Sequence, residues 1–193
     1  MNRRFGSVLL MVFACALLAP PVFAEGTLYL KYNVHVQDQV GRNGEHVYKA
    51  SYSGWVDALP PVFLLPAGSE VTVGPLRRGF VPAFTIQGKD DGRLIAFEYQ
   101  EKYMGISVDE YIAKITSPTP VSLAALSKID REGVKAGKAL VGMSKQGVVT
   151  ALGLPPTHKT PSLDDNSWTY WKDKYRTLVV EFDGTGTVRN IRE

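Results

Sequence analysis

The chain has almost no cysteine. Cys15 is the only one among 193 residues, and it lies in an apolar stretch near the N-terminus. Once that stretch is set aside, no cysteine remains, which excludes a disulfide framework and thiolate chemistry. The length that is left suits one medium domain or two small ones.

The N-terminal stretch predicts a secretory signal over residues 1–24. Arg3 and Arg4 precede an apolar run over 8–18, two prolines end the run, and the expected cut follows Ala24. The first alternative is an uncleaved membrane anchor. The second is lipidation at Cys15. The bulky Phe13, within the short motif that precedes a lipidated cysteine, argues against it. The signal predicts a periplasmic protein, with outer-membrane association as a further possibility.

The chain also lacks a strong excess of charge. It has 22 Lys and Arg against 19 Asp and Glu, and loss of residues 1–24 removes Arg3 and Arg4 but no acid, leaving 20 against 19. A chain so nearly neutral does not favour nucleic acid as a partner.

Residues 25–117 predict a β-rich unit. TLYLKYNVHV at 27–36 alternates strictly as a single half-buried strand, and EHVYKASY returns antiparallel to it after a Gly-Arg-Asn-Gly turn. Further strands are predicted at 69–74, 83–87 and 93–99. The pattern indicates a small antiparallel sheet or partly closed barrel, and an SH3-like unit is one form that it could take.

An apolar segment with three prolines, residues 59–66, interrupts this unit and is predicted to be a loop, because proline is excluded from central strands. Phe63 and Leu64 are its candidates for contact with a partner, since apolar loops exposed to solvent are unusual. The alternative is that the loop plugs one end of the barrel.

A helix with a capping box is predicted after Ser107, with Glu110 as the reciprocal partner. The prolines at 118 and 120 then indicate a linker over 118–121 between a first domain, 25–117, and a second, 122–193.

The second domain reads as two helices followed by three strands. VSLAALSKID at 121–130 predicts a helix, and Gly133 and Gly137 break the pattern. Ser144 begins the next helix, whose apolar stripe is Val148, Ala151 and Leu152, and Gly153 ends it. Strands follow at 167–171, 177–182 and 187–192, the last two joined by a tight turn. The whole chain is therefore predicted to be α+β.

The second domain resembles the SmpA/OmlA (BamE-like) family over residues 122–193. That family has a small two-helix, three-strand module in the bacterial envelope, its best-known members help to assemble outer-membrane β-barrels, and related folds inhibit β-lactamases. The resemblance implies a protein that acts by binding. The residues that carry it are Gly142, Met143, Ser144, Val148, Ala151, Leu152, Gly153, Pro155, Trp168, Tyr170, Val180, Phe182, Gly186, Val188 and Ile191.

Trp171 is the strongest candidate for partner contact. In an alternating strand, Trp168 and Tyr170 share one face and Trp171 lies on the other. The pattern predicts an exposed Trp171 surrounded by three cations, which is typical of a binding hot spot. Ordinary cover of a sheet edge is the alternative. The three cations are Lys172, Lys174 and Arg176.

No set of residues predicts catalysis, a metal or a cofactor. His35 and His46 could face each other across the first hairpin, but two ligands make a poor metal site. His158 lies near Asp164 and Asp165, with Ser162 or Ser167 as nucleophile, yet no nucleophile elbow or oxyanion arrangement accompanies them.

These observations predict a non-enzymatic accessory protein of the cell envelope that acts by protein binding, linked to outer-membrane protein assembly or envelope integrity. An envelope protein is the expected partner, and membrane association would come through it or through the N-terminus. The alternative function is a peptidoglycan- or glycan-binding module with an SH3-like first domain.

Overall fold

A computed structural model describes residues 26–56, 62–75 and 82–193, which form a mixed α+β protein. The predicted signal segment with Cys15, and residues 59–61 of the apolar loop, lie outside the described residues. The helices are α1 Glu101–Met104, α2 Val108–Ile115, α3 Lys128–Ala136 and α4 Lys145–Leu152. The strands are β1 Leu28–Leu30, β2 Val34–Val40, β3 His46–Ser51, β4 Val62–Leu65, β5 Glu70–Pro75, β6 Pro82–Gly88, β7 Leu94–Glu98, β8 Thr116–Ser117, β9 Ser167–Trp171, β10 Thr177–Phe182 and β11 Val188–Arg192.

The first eight strands form one curled sheet in the order β4-β2-β3-β7-β6-β5-β1-β8. The predicted antiparallel return of the second strand is confirmed as the hairpin β2–β3, and the strands predicted at 83–87 and 93–99 are present as β6 and β7, which pair antiparallel. The sheet is not wholly antiparallel, because β3 pairs with β7 in parallel. Inside the curl, Phe84 stacks on Phe97 with ring centroids 4.6 Å apart. The predicted capping box at Ser107 is present, and Tyr111 and Ile115 of α2 are buried against this core.

The single strand predicted over residues 27–36 is wrong, because the chain breaks between β1 and β2. The two strands lie in different parts of the sheet, β1 between β5 and β8 and β2 between β3 and β4. The break falls at Asn33, which is 3% exposed and whose backbone N–H donates to Thr150 O at 2.8 Å. A bond to a distant helix therefore ends a strand that the alternation alone would continue.

The apolar loop is also partly wrong, since residues 62–65 form β4. This strand lies at the edge of the sheet and pairs only with β2 among the described strands. The prediction that the segment would not be a central strand is confirmed, as expected for a segment bounded by prolines.

The third helix differs from its prediction. It begins at Lys128, after the N-cap Ser127, so residues 121–127 are not helical. Gly133 does not break it; a Cβ at that position would lie 2.8 Å from the carbonyl oxygen of Lys138 and overlap Met143. The helix ends instead at Gly137, which adopts φ +63°. Gly133 thus allows close approach of the chain that follows the helix.

The fourth helix begins after Ser144 and ends at Gly153 as predicted. The stripe residues Val148, Ala151 and Leu152 are buried as predicted, but burial extends around the helix to every residue from 147 to 152. Helix α4 lies between the α3 helix, the second sheet and the segment around Asn33, so solvent reaches little of it. The second sheet is the predicted meander, in the order β11-β10-β9.

One carboxylate caps both helices. Asp130 lies three residues inside α3, where it accepts from Ser127 N at 3.1 Å, and it also accepts from Ser144 N at 2.7 Å. Burial acts to raise the pKa of Asp130, but the hydrogen bonds from Ser127 and Ser144 outweigh it and hold the pKa below its ordinary value of 3.8. In a capping box the third residue of the helix supplies such an acid. In α4 that residue is Gly147, which has no side chain, and Asp130 of α3 takes its place.

We expect Gly147→Ala to destabilise the protein although alanine favours helix by about 1 kcal/mol over glycine. The added methyl would lie 2.8 Å from Asp130 Cβ and overlap its carboxylate, and such overpacking costs about 1–3 kcal/mol. Urea denaturation measures the change. Gly184→Ala is the control, because nothing lies within 4 Å of a Cβ there. A gain in stability from Gly147→Ala would contradict the close approach of Asp130.

The two halves of the chain each have a core, and polar bonds join them. Tyr32 and Leu154 pack against both cores. Asn33 Nδ2 donates to Val134 O at 2.7 Å and to Ala151 O at 3.1 Å, while its Oδ1 accepts from Ala67 N at 2.8 Å. The division into two domains at 118–121 stays a prediction, but Asn33 ties the halves together.

Candidate binding surface

The outer side of the second sheet is the surface on which the sequence placed its main candidate. Alternate residues of β9 and β10 point away from the core, and the pairing aligns Trp171 with Thr177 and Thr169 with Val179. These four side chains are half-buried. We call this surface the Trp171 face. Its members are Ser167, Thr169, Trp171, Thr177, Val179, Glu181, Asn190 and Arg192.

Trp171 lies on this face as predicted, but its cation is a different one. Lys159 Nζ lies 5.4 Å from the centre of the Trp171 ring, within the range of a cation–π contact. Trp171 is half-buried rather than fully exposed. Lys159 precedes β9 by eight residues, so no pattern in the strand could have identified it.

Lys172 was predicted to lie outside beside Trp171, and this is wrong. It is 4% exposed, and its Nζ lies 2.7 Å from Glu193 Oε1. Two residues after the buried Tyr170, Lys172 continues the inward alternation. The partner carboxylate on the far side of the sheet makes that burial tolerable.

Lys174 and Arg176 are exposed in the turn between β9 and β10, as predicted. Lys174 Nζ lies 4.7 Å from the ring centre of Tyr175, which is 79% exposed. Asp173 accepts from the backbone of Tyr175 and of Arg176, and these bonds, with the Arg176 side chain, lower its pKa to about 2. The Asp173 carboxylate is therefore ionised at neutral pH and keeps the hydrogen bonds that shape the turn.

The Trp171 face and its turn carry more positive than negative charge. Glu181 lies 2.8 Å from Arg192 and 3.8 Å from Arg189, and its pKa is lowered by a hydrogen bond from Asn190 and by those arginines. A second acid, Asp173, pairs with Arg176. A third, Asp183, has its pKa lowered by hydrogen bonds from Thr185 and Thr187 and also by Arg189. The cations at this surface are Lys159, Lys174, Arg176, Arg189 and Arg192. An acidic surface is their electrostatic complement.

Phe63 and Leu64 are half-buried and engaged within the protein. The Phe63 ring packs edge-on against Tyr48 at 5.5 Å, and the Arg93 guanidinium lies 4.6 Å from its centre. Leu64 lies beside Gly137 of the second half, where it would be 3.1 Å from an added Cβ. The interpretation of this segment as an exposed apolar loop is therefore wrong: Phe63 covers one end of the sheet and Leu64 helps to close the seam between the halves.

The histidines are not brought together. His46 Nδ1 lies 2.7 Å from Asp38 Oδ1, whereas His35 Nε2 lies 3.1 Å from Ala151 O. The ring of His158 packs on Tyr103 at 5.0 Å. In residues 26–56, 62–75 and 82–193, no three of His, Cys, Asp and Glu are grouped as metal ligands.

Comparisons with known proteins give no assignment: the chain matches no protein-family model, no curated protein and no solved structure. Each helix in the described part of the chain is too short or too polar to cross a bilayer.

Proposed function

We propose that the protein is a non-enzymatic accessory factor of the cell envelope, which binds an acidic protein partner through the Trp171 face. The observation that supports this most directly is the half-buried Trp171 with Lys159 on its ring, followed by the exposed Tyr175 in the turn after β9. Aromatic residues and arginine are enriched at binding hot spots, and the surrounding cations favour a partner of opposite charge.

The envelope setting rests on two further arguments. The predicted signal over residues 1–24 would send the chain to the periplasm. The order of α3, α4 and the meander β9–β11 is the order that the resemblance to the SmpA/OmlA family implies, and we propose a BamE-like arrangement for this half. A role near outer-membrane protein assembly follows from that resemblance.

One observation favours a second candidate, glycan binding by an SH3-like first half. Phe63, Tyr48 and His46 form a row of neighbouring rings at one end of the large sheet, beside Asp38. Half-exposed rings with adjacent carboxylates suit stacking on sugars. The cations around the Trp171 face and the exposed Tyr175 in the adjoining turn favour the protein partner.

A photoreactive amino acid at position 171 tests the proposal in intact cells. We expect crosslinks to one envelope protein from position 171, and none from a control at Leu94, which is apolar and 57% exposed but lies in β7 of the first sheet. Retention on isolated peptidoglycan without a protein crosslink would contradict the proposal and favour glycan binding.

Substitutions at the Trp171 face should lower the affinity for the partner, and the loss should be larger for residues that contact the partner more extensively. We expect Trp171→Ala to lower affinity by about thirtyfold, the loss typical of a hot spot of about 2 kcal/mol. Lys159→Ala should lower affinity less and reduce its dependence on salt. Lys128→Ala, which removes an exposed lysine of α3, is the control. Equal affinities for Trp171→Ala and wild type would contradict this assignment of the surface.

A further inference from the structure

Two aromatic rings meet nearly at a right angle on the core-facing side of the first sheet. The strand pairing places Phe63 opposite Val36 and Tyr48 opposite Ile95, and both Val36 and Ile95 are buried in the first core. The two ring centroids lie 5.5 Å apart, and the ring planes are inclined by 82°. Both side chains are half-buried, so each ring keeps part of its surface in contact with solvent. We call Tyr48 and Phe63 the aromatic corner.

The aromatic corner already holds a cation that belongs to the chain itself. The guanidinium carbon of Arg93 lies 4.6 Å from the centre of the Phe63 ring and 5.5 Å from the centre of the Tyr48 ring. Both distances lie within the range of about 6 Å over which a ring attracts a cation. Two π faces are therefore turned toward one positive charge, which is the geometry of a site for an organic cation.

Arg93 does not depend on the rings to keep its charge paired. Its Nη1 lies 3.0 Å from Asp91 Oδ2, and its backbone N–H donates to the same carboxylate. The side chains are 43% exposed for Arg93 and 35% exposed for Asp91. The guanidinium can therefore leave the rings while it stays hydrated and beside Asp91, and no buried charge is left without a partner.

A carboxylate on the same side of the sheet adds attraction for a cation. Asp38 pairs with Tyr48 across β2 and β3, so the two side chains share a face, with Cβ atoms about 5 Å apart. The Asp38 carboxylate lies 2.7 Å from Nδ1 of His46, whose ring stacks on Tyr48 at 6.3 Å. A neutral imidazole donates this bond without cancelling the negative charge of Asp38.

We propose that the aromatic corner binds an organic cation of the quaternary ammonium class, which takes the place of the Arg93 guanidinium on the two rings. Aromatic faces recognise quaternary ammonium groups by cation–π attraction. A methylated ammonium is favoured over a primary one, because a primary ammonium is strongly hydrated and loses more on contact with the rings. The inclination of 82° between the rings disfavours a sugar, which stacks on one flat face. The proposal is independent of the Trp171 face.

Titration of the full chain with choline, followed by amide NMR shifts, tests this site. We expect saturable shifts at Tyr48, Phe63 and Arg93 in wild type. The matched control is the neutral analogue of choline in which a carbon atom replaces the nitrogen, and it should leave these amides unshifted. Ethanolamine keeps the positive charge without the methyl groups, and it should bind at least about fivefold more weakly than choline.

Substitutions separate the part of the rings from that of Arg93. Arg93→Ala removes the internal competitor and should tighten the binding of choline by about tenfold. Tyr48→Leu should weaken binding at least about fivefold, whereas Tyr48→Phe keeps the ring and should bind as wild type does. If Tyr48→Leu does not fold, the comparison of choline with its carbon analogue in Arg93→Ala decides the question.

Three outcomes would overturn the proposal: no saturable shift with choline in wild type and in Arg93→Ala, equal shifts with the carbon analogue, or unchanged binding in Tyr48→Leu. Shifts of the same amides with a peptidoglycan disaccharide but not with choline would also overturn it, and would assign the rings to a glycan.

A second arm identifies the source of the cation, because a trimethylammonium group occurs both in free solutes and in lipid headgroups. It compares free choline with vesicles of phosphatidylcholine, and vesicles of phosphatidylglycerol are the control. Retention on the phosphatidylcholine vesicles alone assigns the aromatic corner to a lipid headgroup. Binding of free choline without retention on these vesicles assigns it to a soluble cation.

Discussion

Asp130→Ala should lower the free energy of unfolding by about 3–4 kcal/mol, a large effect for a single substitution. The side chain is 3% exposed and accepts from the backbone N–H of Ser127 and of Ser144. Each buried donor left without a partner costs about 1–3 kcal/mol, and loss of a cap costs about 0.5–2 kcal/mol per helix. Urea denaturation followed by circular dichroism measures the change.

The control for this prediction is Glu132→Ala in the same helix. Glu132 is exposed and lies 4.0 Å from Lys128, so its removal should change stability by about 0.5 kcal/mol or less. Asp130→Asn keeps one acceptor oxygen but turns an amide N–H toward the backbone N–H of Ser127 or Ser144, so it should cost about as much as Asp130→Ala. Similar losses for Asp130→Ala and Glu132→Ala would show that the shared cap does not hold the two helices.

The effect of Asp130 should also depend on pH. Its pKa in the folded protein is lower than the ordinary value of 3.8, so the stabilisation is fully present above about pH 4–5. It is lost as pH falls from there through the lower folded pKa. The stability difference between wild type and Asp130→Ala should therefore shrink in acid, and a difference that stays constant down to pH 2 would contradict the ionised cap.

Asn33→Ala should be comparably destabilising, by about 3 kcal/mol, and should weaken the connection between the halves. The substitution leaves Val134 O, Ala151 O and Ala67 N without the amide that they share. Val134 and Ala151 belong to the second half and Ala67 to the first. Loss of the amide that joins them should therefore allow the halves to open separately. Hydrogen exchange measures this, with faster exchange expected in α3 and α4 at a concentration of urea that leaves β6 and β7 protected.

Two controls bear on this prediction. Asn190→Ala removes an exposed asparagine that contacts only Glu181 among the described bonds, and it should change stability by about 0.5 kcal/mol or less. Asn33→Asp keeps the acceptor but places a carboxylate against two carbonyl oxygens, so it should be at least as harmful as alanine. If the amides of both halves of Asn33→Ala exchanged at the same rate, this would contradict the prediction that the halves open separately.

Features that depend on neighbouring residues were predictable. The capping box at Ser107, the N-cap at Ser144 and the stop at Gly153 follow from residues within one turn of each helix end. The meander over 167–192 follows from alternation and a tight turn. The face of β9 that carries Trp171 was predictable for the same reason, because alternation decides it.

Features that depend on distant residues were not predictable. Alternation alone places Lys172 inward. A lysine is nevertheless expected to lie in solvent, and only the structure shows that Glu193 lies beside it. Likewise, the contact of Trp171 with Lys159 from the preceding loop could not be predicted from the pattern of the strand.

By itself, then, the sequence determined the class α+β, most strands, three helix ends and the side on which Trp171 lies, because each depends on short-range periodicity and capping. Only the tertiary structure decided that Asn33 would break a strand, that 62–65 would add one, and that Asp130 would serve two helices. Those outcomes depend on hydrogen bonds and ion pairs between residues far apart in the chain, and a local pattern does not contain the identity of such partners.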